Sequence, residues 1–131
     1  MTKYFAKHKF IFYLLNCILI TLYIFPGSLL GWAMYGNKNL QPQITPDFVI
    51  SSNHFYVFIF ISIIGFLTFL RSKNIKFLLL YLFLLSIILE LSHLIIPLRS
   101  FQWSDLFGNL LGVTVVIFIH NLINKYGGFK K

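Results

Sequence analysis

Four long apolar runs constrain this 131-residue chain more than any other feature. They cover about residues 10–30, 54–70, 77–96 and 106–123. At about 1.5 Å per helical residue, such runs approach the ~30 Å hydrocarbon core of a bilayer. They are continuously apolar and lack the period-two alternation of a membrane β-strand. We therefore predict an all-α, integral membrane four-helix bundle in which residues 1–131 form a single transmembrane domain.

The basic residues predict how this bundle is oriented. Nine of the eleven Lys and Arg residues lie before the first run, between the second and third, or after the fourth. They are Lys3, Lys7, Lys9, Arg71, Lys73, Lys76, Lys125, Lys130 and Lys131. Short basic flanks favour the cytoplasm, so we predict that both termini are cytoplasmic. A cleavable signal peptide is the alternative for the first run, which is longer than the usual ~7–15-residue signal core.

The net charge of +8 indicates membrane topology and attraction to anionic lipids rather than nucleic-acid binding. The basic residues are spread over three short juxtamembrane segments, and no basic-aromatic nucleic-acid motif is present. All three acids, Asp47, Glu90 and Asp105, lie toward the opposite, outer side. Membrane lipid is therefore an expected partner and nucleic acid is not.

A polar stripe follows the third run. Ser86, Glu90, His93 and Pro97 have the spacing of one face of an α-helix. An ionisable group inside a membrane segment is expensive and is by default a functional hypothesis. Glu90 lies seven residues before Pro97, which predicts a depth of about 10 Å below the outer end of a continuous helix. We expect Glu90 to be protonated, hydrogen-bonded, or paired with a histidine or, as the first choice, with Arg99.

The fourth run carries a second polar face with Asp105, Gly108, Asn109 and Gly112. Asp105 lies near the start of the predicted helix, where it could simply cap free backbone N–H groups. Gly108 and Gly112 form a small-xxx-small pair that permits close helix packing, with the third run as the expected neighbour. Gly65 on the second run is a further packing candidate.

Three predicted helix ends converge on the outer side. His54 lies at the start of the second run, His93 near the end of the third and Asp105 just before the fourth. The residues expected to line one polar cleft there are His54, Glu90, His93, Arg99, Gln102, Asp105 and Asn109. Its expected aromatic rim is Trp32, Tyr56, Phe101 and Trp103, residue types that also anchor helices at the membrane interface. The alternative is that the polar residues only tie helices together.

Several of these residues also carry a family resemblance. Residues 90–93 (Glu-Leu-Ser-His), 97–99 (Pro-Leu-Arg) and 104–112 (Ser-Asp-Leu-Phe-Gly-Asn-Leu-Leu-Gly) resemble the signature of VanZ-like membrane proteins. In that family a Glu is followed by Gln, then by Arg, Asp, Asn and Gly at about this spacing. Residues 54–56 (His-Phe-Tyr) are similar to its His-Phe pair, so the likeness covers about residues 53–116.

Two positions depart from the family pattern. His93 stands where the family usually has Gln, which adds a group that titrates near neutral pH. Ile50 and Ser51 replace the Asp-Lys pair that usually precedes the His-Phe, which removes both charges of that pair. The resemblance implies a bacterial plasma-membrane or inner-membrane protein, in a family whose founding member is linked to teicoplanin resistance. It implies no known reaction.

The leading functional hypothesis is a cell-envelope protein that binds the polar or anionic headgroup of a lipid or glycolipid in the outer cleft. Arg99 would contact the anion, while His54, Asp105 and Asn109 would orient hydroxyl or amide groups. Glu90 would hold Arg99 or a histidine in place. The structural alternative is a subunit that associates with another membrane protein or with a second copy of this chain.

Catalysis and metal binding are weaker hypotheses. An outer-leaflet enzyme could use His54 or His93 as a general base oriented by Glu90 or Asp105, but the sequence selects no nucleophile. Glu90 and His93 share the Glu-x-x-His spacing of bundle metal sites, although a metal site would also need His54 within bonding distance. We therefore predict no metal and no cofactor from the sequence.

Overall fold

The computed structural model describes residues 2–47, 49–69 and 73–126, with side chains described from residue 8 onward. Its helices are α1 (Thr2–Ile24), α2 (Leu29–Tyr35), α3 (Ser52–Phe69), α4 (Ile75–Ser92) and α5 (Trp103–Tyr126). The part of the chain covered by these ranges contains no strand, so the all-α prediction is confirmed there. The predicted end of the second run at residue 70, and Arg71, Lys130 and Lys131 of the basic set, lie outside the described residues.

Three helices, α3, α4 and α5, are long and apolar enough to cross a membrane. The first predicted run passes the same test of length and composition only when α1 and α2 are taken together, as a pair bent by 83°. The described residues thus support a membrane protein with three spanning helices, or four if the bent pair is one span.

The single helix predicted for residues 10–30 was wrong, because α1 ends at Ile24. Pro26 disfavours helical geometry at the residue before it, and Gly27 follows with a φ of 77° in the left-handed region. Ser28 then starts α2 by accepting the Gly31 N–H at its Oγ, 2.9 Å away. The sharp bend therefore arises from three consecutive residues that each favour a helix boundary.

The chain after α2 folds back onto that short helix. The Ser28 N–H donates to the Lys38 carbonyl at 2.7 Å. A Cβ at Gly31 would overlap the Leu40 carbonyl, so only glycine permits this close approach. Farther along, Asp47 Oδ1 accepts the Ser52 N–H at 2.8 Å and caps the start of α3.

The long helices α1, α3, α4 and α5 pack around a common apolar core. Its buried side chains include Phe12, Leu19, Phe58, Ile61, Leu82, Leu89 and Val113. Gly108 and Gly112 lie in the contact between α5 and α3, not against the third predicted run. A Cβ on Gly112 would lie 2.7 Å from the Phe55 carbonyl, which explains why small residues occur there.

Gly65 serves a different contact from the other two glycines. A Cβ at Gly65 would meet the Phe12 ring at 3.0 Å and the Leu78 side chain at 3.1 Å. It therefore gives α1 and α4 room beside α3. The prediction that these three glycines support packing is consistent with this geometry, but the helix pairs differ from the expected one.

The predicted third run, residues 77–96, also ends early, since α4 stops at Ser92 and residues 93–98 form turns. Pro97 disfavours helix at Ile96, and Leu98 has a φ of 61°. Pro97 consequently does not continue the stripe of Ser86, Glu90 and His93. Glu90 lies in the last turn of α4 and is covered by the chain that follows it, rather than lying about 10 Å below a helix end.

Candidate functional site

Polar side chains from four helices meet where α1 and α4 end and where α3 and α5 begin. We call this group the polar cluster. It consists of Tyr23, His54, Glu90, His93, Asp105 and Asn109. The exposed fractions are 0% for Glu90 and Asn109, 3% for His93 and 7% for both His54 and Tyr23. Five of the seven residues predicted for the cleft, all but Arg99 and Gln102, therefore converge in this cluster, and most of their side chains are buried rather than lining an open cleft.

Glu90 lies at the centre of the polar cluster. Its Oε1 accepts the backbone N–H of Gln102 at 3.0 Å, so the carboxylate caps the chain just before α5. Its Oε2 lies 3.3 Å from His93 Nδ1 and 4.0 Å from His54 Nε2, and makes no hydrogen bond to the described residues. Glu90 therefore contacts both histidines and does not pair with Arg99, which was its first-choice partner in the sequence analysis.

His93 connects the end of α1 to Glu90. Its Nε2 is 3.2 Å from the Tyr23 carbonyl, which can only accept a hydrogen bond, so Nε2 is the donor in this contact. Its Nδ1 faces Glu90 Oε2 at 3.3 Å. The imidazole therefore lies between the backbone of α1 and the carboxylate of α4.

His54 contacts both acids of the cluster. Its Nδ1 is 2.8 Å from Ser51 Oγ and 3.5 Å from Asp105 Oδ1, while its Nε2 faces Glu90. Asp105 lies in the first turn of α5 and is only partly buried, so it also has the favourable position of an acid at a helix start. The imidazole thus bridges two carboxylates that would otherwise repel each other.

Both polar atoms of the Asn109 side chain make hydrogen bonds to other helices. Its Oδ1 accepts the Tyr23 hydroxyl at 2.7 Å, and its Nδ2 donates to the Ser86 carbonyl at 3.2 Å. These bonds join α5 to α1 and to α4. Because both ends of the amide are used and the side chain is fully buried, Asn109 has a structural role in this conformation.

Tyr23 and Ser51 are members of the site that sequence reasoning missed. The Tyr23 ring stacks on His93 with centroids 5.5 Å apart and meets the edge of His54 at 5.3 Å. A tyrosine near the end of an apolar run is typical of an interfacial anchor, so its sequence gave no distinguishing signal. Ser51 lies at the start of α3, and its position three residues before His54 was a usable clue.

Arg99 contacts α1 rather than Glu90. Its Nη2 donates to the Leu22 carbonyl at 2.8 Å and its Nε to the Phe25 carbonyl at 3.4 Å. A cation at the carboxyl end of a helix is favoured by free carbonyls and by the helix dipole. Partial burial lowers the pKa of Arg99 below its usual value, but an arginine side chain stays charged in proteins.

Two cavities lie beside Arg99. The first, about 220 Å³, is lined by apolar residues that include Leu19, Leu22 and Val57, together with several polar ones. The second, about 180 Å³, lies over the polar cluster. The second cavity is lined by Gly27, Ser28, Lys38, Asn39, Gln41, His93, Leu98, Arg99, Ser100, Gln102 and Asp105. Ser28, Gln41 and Arg99 line both cavities, so a mainly apolar and a polar space lie on either side of these three residues.

The four aromatic residues expected at the rim, Trp32, Tyr56, Phe101 and Trp103, line neither of these cavities. Trp32 is exposed on α2, and Lys38 Nζ lies 5.7 Å from its ring centroid and 5.3 Å from that of Phe25. Phe101 and Trp103 contact each other with their ring centroids 5.1 Å apart. Exposed aromatic residues at this end of the helices are consistent with interfacial anchoring.

Comparison of this chain with family models, with curated proteins and with solved structures found no match.

Proposed function

We propose that this chain is a VanZ-like, multi-pass protein of the bacterial cell membrane that binds the anionic headgroup of an envelope lipid or glycolipid. In this proposal α1, α3, α4 and α5 form the transmembrane four-helix bundle, with both termini in the cytoplasm. The basic residues in the first half of α1, around the connection from α3 to α4 and near the end of the chain support that orientation. The cavity beside Arg99 would then open toward the outer leaflet, and in a bacterium with two membranes the protein would lie in the inner one.

The observation that carries the proposal is that Arg99 lines both a mainly apolar and a polar cavity. A lipid has a charged headgroup joined to an apolar chain, and it needs a site with adjoining polar and apolar spaces. Lys38 and Arg99 supply positive charge at the polar cavity, and Leu19, Leu22 and Val57 line the apolar one. Neither cation has a carboxylate within 4.0 Å in the described part of the chain.

The roles of the residues differ from the sequence hypothesis. Arg99 uses its guanidinium partly to cap α1, and it also contacts Gln41 Oε1 at 3.4 Å. A guanidinium has five N–H donors, so it can hold a helix end and still face an anion. The polar cluster lies beneath this site and would fix its floor through His93 and Asp105, while Asn109 would only pack.

A lipid-like probe tests the proposal. The protein in neutral detergent would be titrated with dodecyl phosphate, and with dodecylphosphocholine as the control of equal chain length and no net charge. We expect a saturable rise in melting temperature with dodecyl phosphate only, corresponding to about 2.7 kcal/mol at 100 times Kd. A titration with inorganic phosphate alone would show whether the apolar cavity contributes to binding. If the alkyl chain is needed, inorganic phosphate should raise the melting temperature only slightly.

Variants connect the response to the site. Lys38→Gln and Arg99→Lys should each reduce the rise, measured from the variant's own melting temperature, because they remove a charge or the planar donor pair. Lys125→Gln, at the other end of α5, is the matched control and should respond as the wild type does. Equal responses to the two detergents, or unchanged responses in both site variants, would contradict headgroup binding.

An outer-leaflet enzyme is the second candidate, and one contact favours it. Ser51 Oγ lies 2.8 Å from His54 Nδ1, and His54 Nε2 lies 4.0 Å from Glu90 Oε2, so a hydroxyl and a carboxylate lie beside the two nitrogens of one imidazole. Such a chain can activate a serine. Labelling by a fluorophosphonate that is lost in Ser51→Ala and kept in Ser100→Ala would support this candidate, and absence of labelling would count against it.

A further inference from the structure

We propose that His54, Glu90 and Asp105 bind one divalent transition-metal ion, with Zn²⁺ as the reference ion. One nitrogen of His54 and one oxygen of each acid all lie within 4.8 Å of one another. The three residues come from α3, α4 and α5, so a metal would join three helices at the polar end. This inference does not rest on headgroup binding, because its ligand atoms belong to the polar cluster, although Asp105 also lines the cavity above it.

The spacing of the ligand atoms is close to that of a metal site. With bonds of about 2.0–2.2 Å in a tetrahedral site, neighbouring ligand atoms are separated by about 3.3 Å. One nitrogen of His54 and one oxygen of each acid lie within 4.8 Å of one another. The shorter contacts, 3.5 Å from Nδ1 to Asp105 Oδ1 and 4.0 Å from Nε2 to Glu90 Oε2, involve different nitrogens of His54. Side-chain shifts that shorten the ligand separations by up to about 1.5 Å would therefore bring a single nitrogen and the two oxygens to bonding distance.

The unsatisfied oxygen of Glu90 points to a missing partner. Glu90 is completely buried, and Oε2 has no hydrogen bond to the described residues although it faces two imidazoles. An unpartnered buried carboxylate oxygen is costly. A cation at this position would satisfy that oxygen.

The charges of the cluster agree with a divalent ion. Glu90 and Asp105 together bring two negative charges, and no Lys or Arg lies within 4.0 Å of either among the described residues. One divalent cation would neutralise them without protonating His54. Imidazole and carboxylate are ligands of Zn²⁺, Mn²⁺ and Fe²⁺, which excludes a site built for soft, thiolate-bound metals.

The surrounding groups resemble the outer shell of a metal site. Gln102 N–H holds Glu90 Oε1, Ser51 Oγ contacts His54 Nδ1, and Ser104 Oγ contacts Asp105 Oδ1 at 3.3 Å. Such hydrogen bonds orient ligands and are a common part of metal sites. His93, anchored on the Tyr23 carbonyl, positions the Glu90 carboxylate from the other side.

Metal content and thermal stability test the inference directly. The full-length protein in detergent would be stripped with a chelator and titrated with Zn²⁺, Mn²⁺ or Ca²⁺, the last as a hard cation that prefers six to eight oxygen ligands. We expect one Zn²⁺ per chain after removal of excess ion, together with a saturable rise in melting temperature. A tetrahedral Co²⁺ absorption spectrum would give a readout that does not depend on stability.

Matched variants assign the ion to this site. His54→Ala and Glu90→Gln should each weaken Zn²⁺ binding on the order of 100-fold or more, exceeding the 10–100-fold typical of outer-shell changes. His120→Ala and Asp47→Asn replace the same residue types elsewhere and should bind like the wild type. Asp105 is only partly buried, so Asp105→Asn is the variant to measure if His54→Ala or Glu90→Gln fails to fold.

Two results would overturn the inference. One is a wild-type protein that retains only substoichiometric Zn²⁺ and shows no shift in melting temperature with any of the three ions. The other is stoichiometric metal that remains in His54→Ala, Glu90→Gln and Asp105→Asn, since the ion would then lie elsewhere. Because the titration uses no lipid, failure of headgroup binding would leave its outcome unaffected.

Discussion

Replacing Tyr23 with Phe should destabilise the protein by about 1–2 kcal/mol. The change removes the hydroxyl that donates to Asn109 Oδ1 at 2.7 Å and leaves the rings in place. An orphaned buried acceptor costs about 1–3 kcal/mol, whereas interhelical hydrogen bonds in a membrane reach about 1.7 kcal/mol at most. Asn109 is fully buried and has no route to water, so we expect a value near the overlap of these two ranges.

Equilibrium unfolding in mixed micelles measures this free energy, and a double-mutant cycle isolates the bond. Tyr23→Phe, Asn109→Ala and the double variant should give a coupling of about 1 kcal/mol, since the residues are in direct contact. Tyr56→Phe is the matched control, because its hydroxyl makes no hydrogen bond to the described residues and the change should stay within about 0.5 kcal/mol. The reasoning is refuted if Tyr23→Phe equals this control or if the cycle is additive.

Three further changes can be measured by the same unfolding assay. Gly112→Ala should cost about 1–3 kcal/mol, because the added methyl would lie 2.7 Å from the Phe55 carbonyl; a neutral result would mean that α3 and α5 separate easily. Leu98→Gly should leave the free energy of unfolding nearly unchanged, because relief of the strain at a φ of 61° offsets the entropy cost of glycine. Leu94 is similarly exposed but has no positive φ, so Leu94→Gly should destabilise the protein by about 0.5–1 kcal/mol. Asp47→Ala should cost about 0.5–2 kcal/mol through loss of the α3 cap, and Asp47→Asn should recover most of it.

The convergence of His54, Glu90, His93 and Asp105 could be predicted from the sequence. Helical spacing placed Glu90 and His93 on one face, and the order of the apolar runs placed the starts of α3 and α5 at the end of α4. Those inferences depend only on helix periodicity and short connections, which constrain a small helical chain strongly.

The partner of Arg99 could not be predicted in the same way. The sequence suggested Glu90 because opposite charges attract, but the guanidinium instead meets the carbonyls at the end of α1. That end exists only because Pro26 and Gly27 break the first run, and the break exposes acceptors that need a donor. Tyr23 was missed for a related reason, since its role depends on how α1 packs against α5 and not on any local pattern.

Helix polarity gives a physical account of the uneven charge along this chain. Asp47 caps α3, Asp105 lies in the first turn of α5, and Glu90 Oε1 accepts the N–H just before α5. Arg99 lies at the carboxyl end of α1. Each of the three carboxylates therefore lies near the amino end of a helix, and this cation near a carboxyl end, as the helix dipole favours, although Glu90 itself belongs to the last turn of α4.

Helix capping accounts for some of these acids but not for every carboxylate oxygen. Capping explains Asp47 fully and Asp105 in part, so neither acid needs a ligand to justify its place. Glu90 differs, because capping uses only Oε1 while Oε2 remains buried against His54 and His93. A backbone cap needs one oxygen and no imidazole. The second oxygen of Glu90, together with its two histidines, is consequently the part of the polar cluster that helix stability leaves unexplained.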